Sequence, residues 1–334
     1  MNRRPTRLAG AAALVVASLA LAACASSPAS SPSASSTVSG PFEYRDARGT
    51  TVSLDTTPTT VVAQSSVAAA LWDAGYHVAG AYGELTPLAD GSLSYQAGSL
   101  DLSDVTVLGS TYGEFDTEKY ALLNPQLLVD YTFDDKSLWY VPTAQSDQIL
   151  GLAPSVAVPG NYANTDDAIQ TFVDLAGKLG ADTGSAQLAS EKQAYEAALA
   201  DVATAAKSSG LRVAVMSPST DSLYVANPAK LPELSTLTAD GLDIMSPKGG
   251  TSDVFAQFSW EQASDYADAD IILVDARTYD ASKADLMKIS TWANLPAVKA
   301  GQVYNWYAAA PYSYKAYAAI YQEIADELTA ARKL

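Results

Sequence analysis

Short apolar runs alternate along the chain with stretches whose apolar positions recur at helical spacing. Residues 60–63, 77–82, 105–108, 127–131 and 155–158 are short, apolar and bounded by turn residues, and read as strands. Between them, 67–74, 115–123 and 143–150 read as helices. Ser65 is placed to cap the first of these, which stops at Gly75. Asn164-Thr165-Asp166-Asp167 opens a further helix, with acids in the first turn where the helix dipole favours them. Ile169, Phe172, Val173, Ala176 and Leu179 then fall on one face at 3.6-residue spacing. An alanine-rich helix follows at 185–206. Strands resume at 212–216, 222–225, 271–275 and 302–306, and an amphipathic helix at 312–331 closes the chain. This alternation predicts an α/β protein with mostly parallel sheets. The units group into two lobes, 41–162 and 183–334, joined by helix 163–182. A cleft between two lobes is the default place for a ligand.

The first forty residues follow a different pattern. Arg3, Arg4 and Arg7 precede an apolar stretch at 8–21, and Ala22-Ala23 supply small residues before Cys24. These are the three parts of a secretory signal, and the apolar stretch is shorter than the ~20 residues of a spanning helix. Cys24 is the sole cysteine, so a disulfide within the chain is excluded. Leu21-Ala22-Ala23-Cys24 resembles the lipobox of bacterial lipoproteins, which implies cleavage after residue 23 and lipidation of the Cys24 thiol. The Ser/Pro/Ala-rich stretch after it, to residue 40, is uncharged and without aromatics, and reads as a flexible tether.

Charge and inventory narrow the chemistry. The chain carries −17, and removing a leader with three arginines and no acids takes the body to −20. That field opposes nucleic acid and anionic surfaces. His77 is the one histidine, in "DAGYHVAG" where a helix gives way to a strand. A nucleophile–histidine catalytic pair would have to use it, and a multi-histidine metal site cannot form. Lone histidines at such turns are commonly bystanders. No G-x-S-x-G, Walker or G-x-G-x-x-G motif occurs. Acid pairs such as Asp134-Asp135 and Asp268/Asp270 suit a solvated surface in so acidic a chain. The expectation is a binding protein rather than an enzyme, with no cofactor and no metal ligands of its own. Tyrosine is abundant, 19 against 6 phenylalanines, and combines a flat apolar ring with a hydroxyl.

Six segments in order resemble one family: "FEYRDARGTTVSL", "TTVVAQSSVAAALWDAGYHVAG", "VLGSTYGEFDTEKYALLNPQLLV", "LAPSVAV", "FSWEQASDYADADIILVD" and "WANLPAVKAGQVYNW". Together they are similar to the iron–siderophore/cobalamin class of ABC-transporter solute-binding proteins, over about 41–331. The resemblance implies two Rossmann-like lobes joined by a single long helix, with the ligand held between them. It implies a monomer on the outer face of the cytoplasmic membrane, delivering its ligand to an ABC permease with its ATPase. It also implies an exposed glutamate on each lobe docking on permease arginines, here Glu118 in "FDTEKY" and Glu261 in "SWEQA". The family pattern commonly has Asp where Gln126 stands.

Ligands of parallel α/β lobes meet the loops beyond the carboxyl ends of the strands. Those tips give Ser65, Tyr82, Ser110, Tyr112, Tyr131 and Phe133 in the first lobe, and Ser217, Arg277, Tyr279, Trp306 and Tyr307 in the second. They are dense in aromatics and hydroxyls, and Arg277 is the one cation among them. A tris-catecholate iron complex would call for a cluster of arginines or lysines. Aromatic walls with one arginine suit a neutral or weakly charged ferric chelate, such as a hydroxamate, with iron arriving already chelated. Cobalamin or haem is the alternative within the class, since tip tyrosines could serve haem. A secreted enzyme or a structural envelope lipoprotein on the same fold is the alternative outside it.

Overall fold

The computed structural model describes residues 40–88 and 91–334. The predicted leader, Cys24 and the tether up to residue 39 lie outside the described residues. A hairpin of β1 (Phe42–Arg45) and β2 (Thr51–Leu54) comes first. Its turn is built around the Asp46 carboxylate, which accepts the backbone N–H groups of Arg48 and Thr50, both at 3.0 Å, and that of Ala157 at 3.1 Å. The last of these ties the hairpin to the first lobe.

That lobe is a five-stranded, wholly parallel sheet of β3 (Val61–Gln64), β4 (Gly80–Tyr82), β5 (Thr106–Gly109), β6 (Leu127–Thr132) and β7 (Ser155–Pro159). The spatial order is β5-β4-β3-β6-β7, so the winding direction reverses between β3 and β6. Helices α1 (Ser65–Asp73), α2 (Thr117–Leu122) and α3 (Ser146–Leu150) lie between the strands. Strands β3 and β6 are buried throughout, as a sheet covered on both faces requires, and each begins with an apolar run, Val61–Ala63 and Leu127–Val129. One capping expectation is corrected. Gln64, not Ser65, caps α1, its side-chain oxygen accepting the N–H groups of Ser66 at 2.9 Å and Val67 at 3.2 Å. Ser65 is the first helical residue.

Helix α4 (Thr165–Lys178) carries the chain from one lobe to the other, resting against α1 of the first and, from the second, α6 (Pro232–Ala239). Asn164 caps α4 by accepting the Asp167 N–H at 2.8 Å, as its sequence predicts. A longer helix, α5 (Ala186–Ser209), follows and packs along α10 (Tyr314–Ala330) at the end of the chain.

The second lobe holds β8 (Arg212–Pro218), β9 (Leu223–Ala226), β10 (Asp243–Ile244), β11 (Phe255–Phe258), β12 (Ile271–Asp275) and β13 (Val303–Trp306). The order is β11-β9-β8-β12-β13, with β10 on the first residues of β8. Strands β8, β10, β12 and β13 are parallel, β9 pairs antiparallel with β8, and β11 antiparallel with β9. Winding reverses here between β8 and β12. Short helices α7 (Tyr279–Leu286), α8 (Ser290–Ala293) and α9 (Pro296–Ala300) cover one face. One apolar core runs from Val61 and Ala63 through Ile169, Phe172 and Leu175 of α4 to Val213 and Leu273.

The long connection between β4 and β5 crosses to the second lobe. Its turn Tyr95–Ala97 places the Tyr95 hydroxyl 2.6 Å from the Ala308 carbonyl and its ring edge-on to Tyr307 at 5.1 Å. Ser99 donates to the buried Asp73 carboxylate at the end of α1. Asp73 also accepts from Ser313 at 2.6 Å, and Ser313 in turn caps α10 through the Ala316 N–H.

Candidate ligand-binding site

The two winding reversals place the strand ends where an open α/β sheet holds a ligand: β3 and β6 in one lobe, β8 and β12 in the other. At the β12 end, Asp275 is buried and its carboxylate is bracketed by the Arg277 side chain. Nε lies at 2.9 and 3.2 Å from its two oxygens and one terminal guanidinium nitrogen at 2.6 Å. The Ser217 hydroxyl, at the end of β8, adds a bond of 3.1 Å. Arg277 is thus fixed in place and its charge is offset at close range. That charge still reaches across the lobes, where it opposes the rise that burial imposes on the Tyr95 and Tyr140 hydroxyls.

At the β6 end the chain turns out at Phe133 and folds back, the Trp139 N–H donating to the Tyr131 carbonyl at 2.9 Å. Asp134 shapes this turn by accepting the N–H groups of Lys136 and Ser137. The return brings Trp139 and Tyr140 beside Tyr112, with Tyr140 edge-on to Trp139 at 4.6 Å and to Tyr112 at 5.0 Å. Together with Lys136 and Arg48 they line a cavity of about 610 Å³, within the size range of small-molecule sites. Beneath it, fully buried Asp130 accepts the Tyr82 hydroxyl at 2.9 Å and the backbone N–H of Tyr140 at 3.0 Å. Burial pushes the Asp130 carboxyl up to about 7 from 3.8, against the pull of these hydrogen bonds. The folded protein therefore keeps a proton on Asp130 that the unfolded chain gives up near 3.8, so stability is full below 3.8 and falls as pH rises through about 7.

The predicted contact residues divide by burial. Tyr112, Phe133 and Arg277 are exposed, and Ser110, Ser217 and Tyr307 are half-buried. Ser65, Tyr82, Tyr131, Tyr279 and Trp306 are buried and packed or hydrogen-bonded within the protein. The Ser65 hydroxyl receives Gln64 Nε2 at 3.0 Å and the Glu84 N–H at 3.1 Å. The Trp306 indole N–H donates to Glu233 at 3.1 Å, a buried carboxyl pushed up by desolvation. Tyr279 belongs to the core around Trp292. Sequence reasoning did not single out Trp139, Tyr140, Lys136 or Tyr95. Beyond the strand ends, where Arg277 is the one cation predicted, Lys136 of the returning loop and Arg48 of the β1–β2 turn add cations at the cavity. Arg48, however, is paired with Asp46 at 2.6 Å.

Glu118 lies exposed in the first turn of α2, and Glu261 exposed on the turn Trp260–Tyr266. Neither is ion-paired among the described residues. His77 is exposed and stacked on Trp72 at 3.8 Å.

The family model described as periplasmic binding protein matches residues 58–310, and the chain belongs to that family. Among solved structures the chain is similar to DesE, a ferric-siderophore receptor protein from Streptomyces coelicolor. The two are 37% identical over 88% of this chain and 100% of that one, with a TM-score of 0.80. Staphylococcus aureus SirA complexed with staphyloferrin B is 18% identical, covering 87% and 99% of the respective chains, TM-score 0.60. FhuD2 from Staphylococcus aureus with bound ferrioxamine B is also 18% identical, covering 81% and 98%, TM-score 0.53. At that identity the likeness is one of fold. No curated protein matches the chain.

Proposed function

We propose that this protein is an extracytoplasmic receptor for a ferric siderophore. In this reading Cys24 holds it to the outer face of the cytoplasmic membrane, and it delivers the intact chelate to an ABC permease with its ATPase. The observation that carries the reading is an aromatic-walled cavity at the end of β6, one of whose walls, Tyr140, feels the charge of the arginine fixed at the end of β12. Flat rings fill the sides of a bulky, partly apolar chelate, and the guanidinium reaches its chelating oxygens. The 37%-identical ferric-siderophore receptor supports the same class of ligand. Glu118 and Glu261, exposed on separate lobes and outside any ion pair among the described residues, supply the docking charges on the permease. Iron is cargo here, brought and kept within its chelator.

The charge balance favours a neutral or weakly charged chelate of the hydroxamate type. Arg277 is offset by Asp275 and Arg48 by Asp46, so the strand ends do not form a cationic bowl. Titration of intrinsic fluorescence tests the reading, because Trp139 lines the cavity. Ferric trihydroxamates should quench saturably, and ferric tris-catecholates far more weakly. Quenching by cobalamin or haemin alone would replace the siderophore with the other ligand.

A further inference from the structure

Glu84 follows Gly83 at the end of β4, where φ is +122° and an added Cβ would lie 2.7 Å from the Ser65 hydroxyl oxygen. Glycine lets the strand end close on the start of α1, and the Glu84 N–H bonds Ser65 Oγ at 3.1 Å. The side chain is fixed from the other side, its Oε1 accepting the Tyr140 hydroxyl at 3.0 Å. Tyr140 is in turn held by its own N–H on Asp130 and lines the cavity. A carboxylate therefore stands behind an aromatic wall of the ligand site.

The neighbouring arginines are held in ion pairs, but this carboxylate is not. Arg277 is paired with Asp275 and Arg48 with Asp46, whereas no cation among the described residues is ion-paired with Glu84. Lys136 is the uncompensated charge of opposite sign, and it is exposed where water screens it. Glu84 is half-buried, where a charge acts through a lower dielectric. We infer that Glu84 sets the charge preference of this receptor, favouring neutral and cationic ferric chelates and rejecting anionic ones. This rests on the ferric-chelate reading above and adds to it a residue that decides which chelates are taken.

The probe is one ferric trihydroxamate scaffold with a single pendant group: an ammonium, its neutral acetyl amide, or its anionic succinyl amide. Wild-type affinity should fall in that order. Glu84→Gln keeps an oxygen for the Tyr140 hydroxyl and removes the charge, so the spread between the cationic and anionic members should narrow about tenfold. Tyr140→Phe keeps the charge, so the order should persist even where all affinities drop. A Glu84→Gln spread as wide as that of wild type, with binding intact, overturns the role of Glu84 alone. Failure of all three probes to bind wild type overturns the trihydroxamate reading and the role of Glu84 together with it.

Discussion

Asp275 and Arg277 show how a cation can be exposed to solvent and neutralised by the same contact. The carboxylate is 1% exposed and the guanidinium 34%, so one partner belongs to the core and the other to the cleft. Removing the arginine leaves Asp275 with the Ser217 hydroxyl and its own local backbone. Arg277→Ala should therefore cost about 1–3 kcal/mol of fold stability, below the full cost of breaking a buried pair because water reaches the arginine. Urea unfolding measures it, and Asp275→Asn in the same chain should restore most of the loss. Loss of its charge-assisted hydrogen bonds should also weaken ligand binding by about ten- to a hundredfold. If the single and double variants prove equally unstable, the pair does not hold Arg277 in place. At this scale the sequence was half legible. Strand-tip reasoning reaches the exposed Arg277, Tyr112 and Phe133 because a tip is a position along the chain. It also collects Ser65, Tyr82 and Tyr131, because position does not say which way a side chain turns. Trp139 and Tyr140 escaped it because they reach the site by a returning loop, and the aromatic cluster in "SLWYVP" behind Asp134-Asp135 was the available signal.

Among the elements, those with strong patterns were read closely. Strand β12 is Ile271–Asp275, as its apolar run predicts, and α4 starts at its Asn cap. Elements with weak local signals were passed over: the β1–β2 hairpin, α6, the edge strand β11 and the crossing turn Tyr95–Ala97. Each is short and is fixed by a partner distant in the chain, such as Ala157 for the hairpin turn or Ala308 for Tyr95. Helix α2 and the turn Trp260–Tyr266 carry Glu118 and Glu261 on exposed faces, and neither glutamate lines the cavity. Changing both glutamates to lysine should impair uptake by cells while leaving ligand affinity of the purified protein within about twofold. Such separation is expected when exposed charges govern encounter and register. Loss of ligand binding in the double variant would move these residues into the site and end their docking role.

For the whole molecule, the lobes share one core through α4, and are fastened again where Tyr95 meets Ala308 and Asp73 meets Ser313. Opening them would separate buried apolar side chains and strand the Asp73 carboxylate, so the empty and loaded forms should be close in shape. Glu118 and Glu261, the docking residues proposed above, one on each lobe, should then stand at nearly the same spacing whether or not cargo is aboard. A permease reading that spacing meets empty carriers as readily as full ones, and the empties occupy its landing site. Transport should therefore slow when receptor outnumbers ferric chelate. In vesicles bearing the cognate permease, adding ligand-free protein at fixed loaded protein should depress uptake in proportion to its excess. Uptake indifferent to the empty form would mean that loading itself changes the spacing the permease meets.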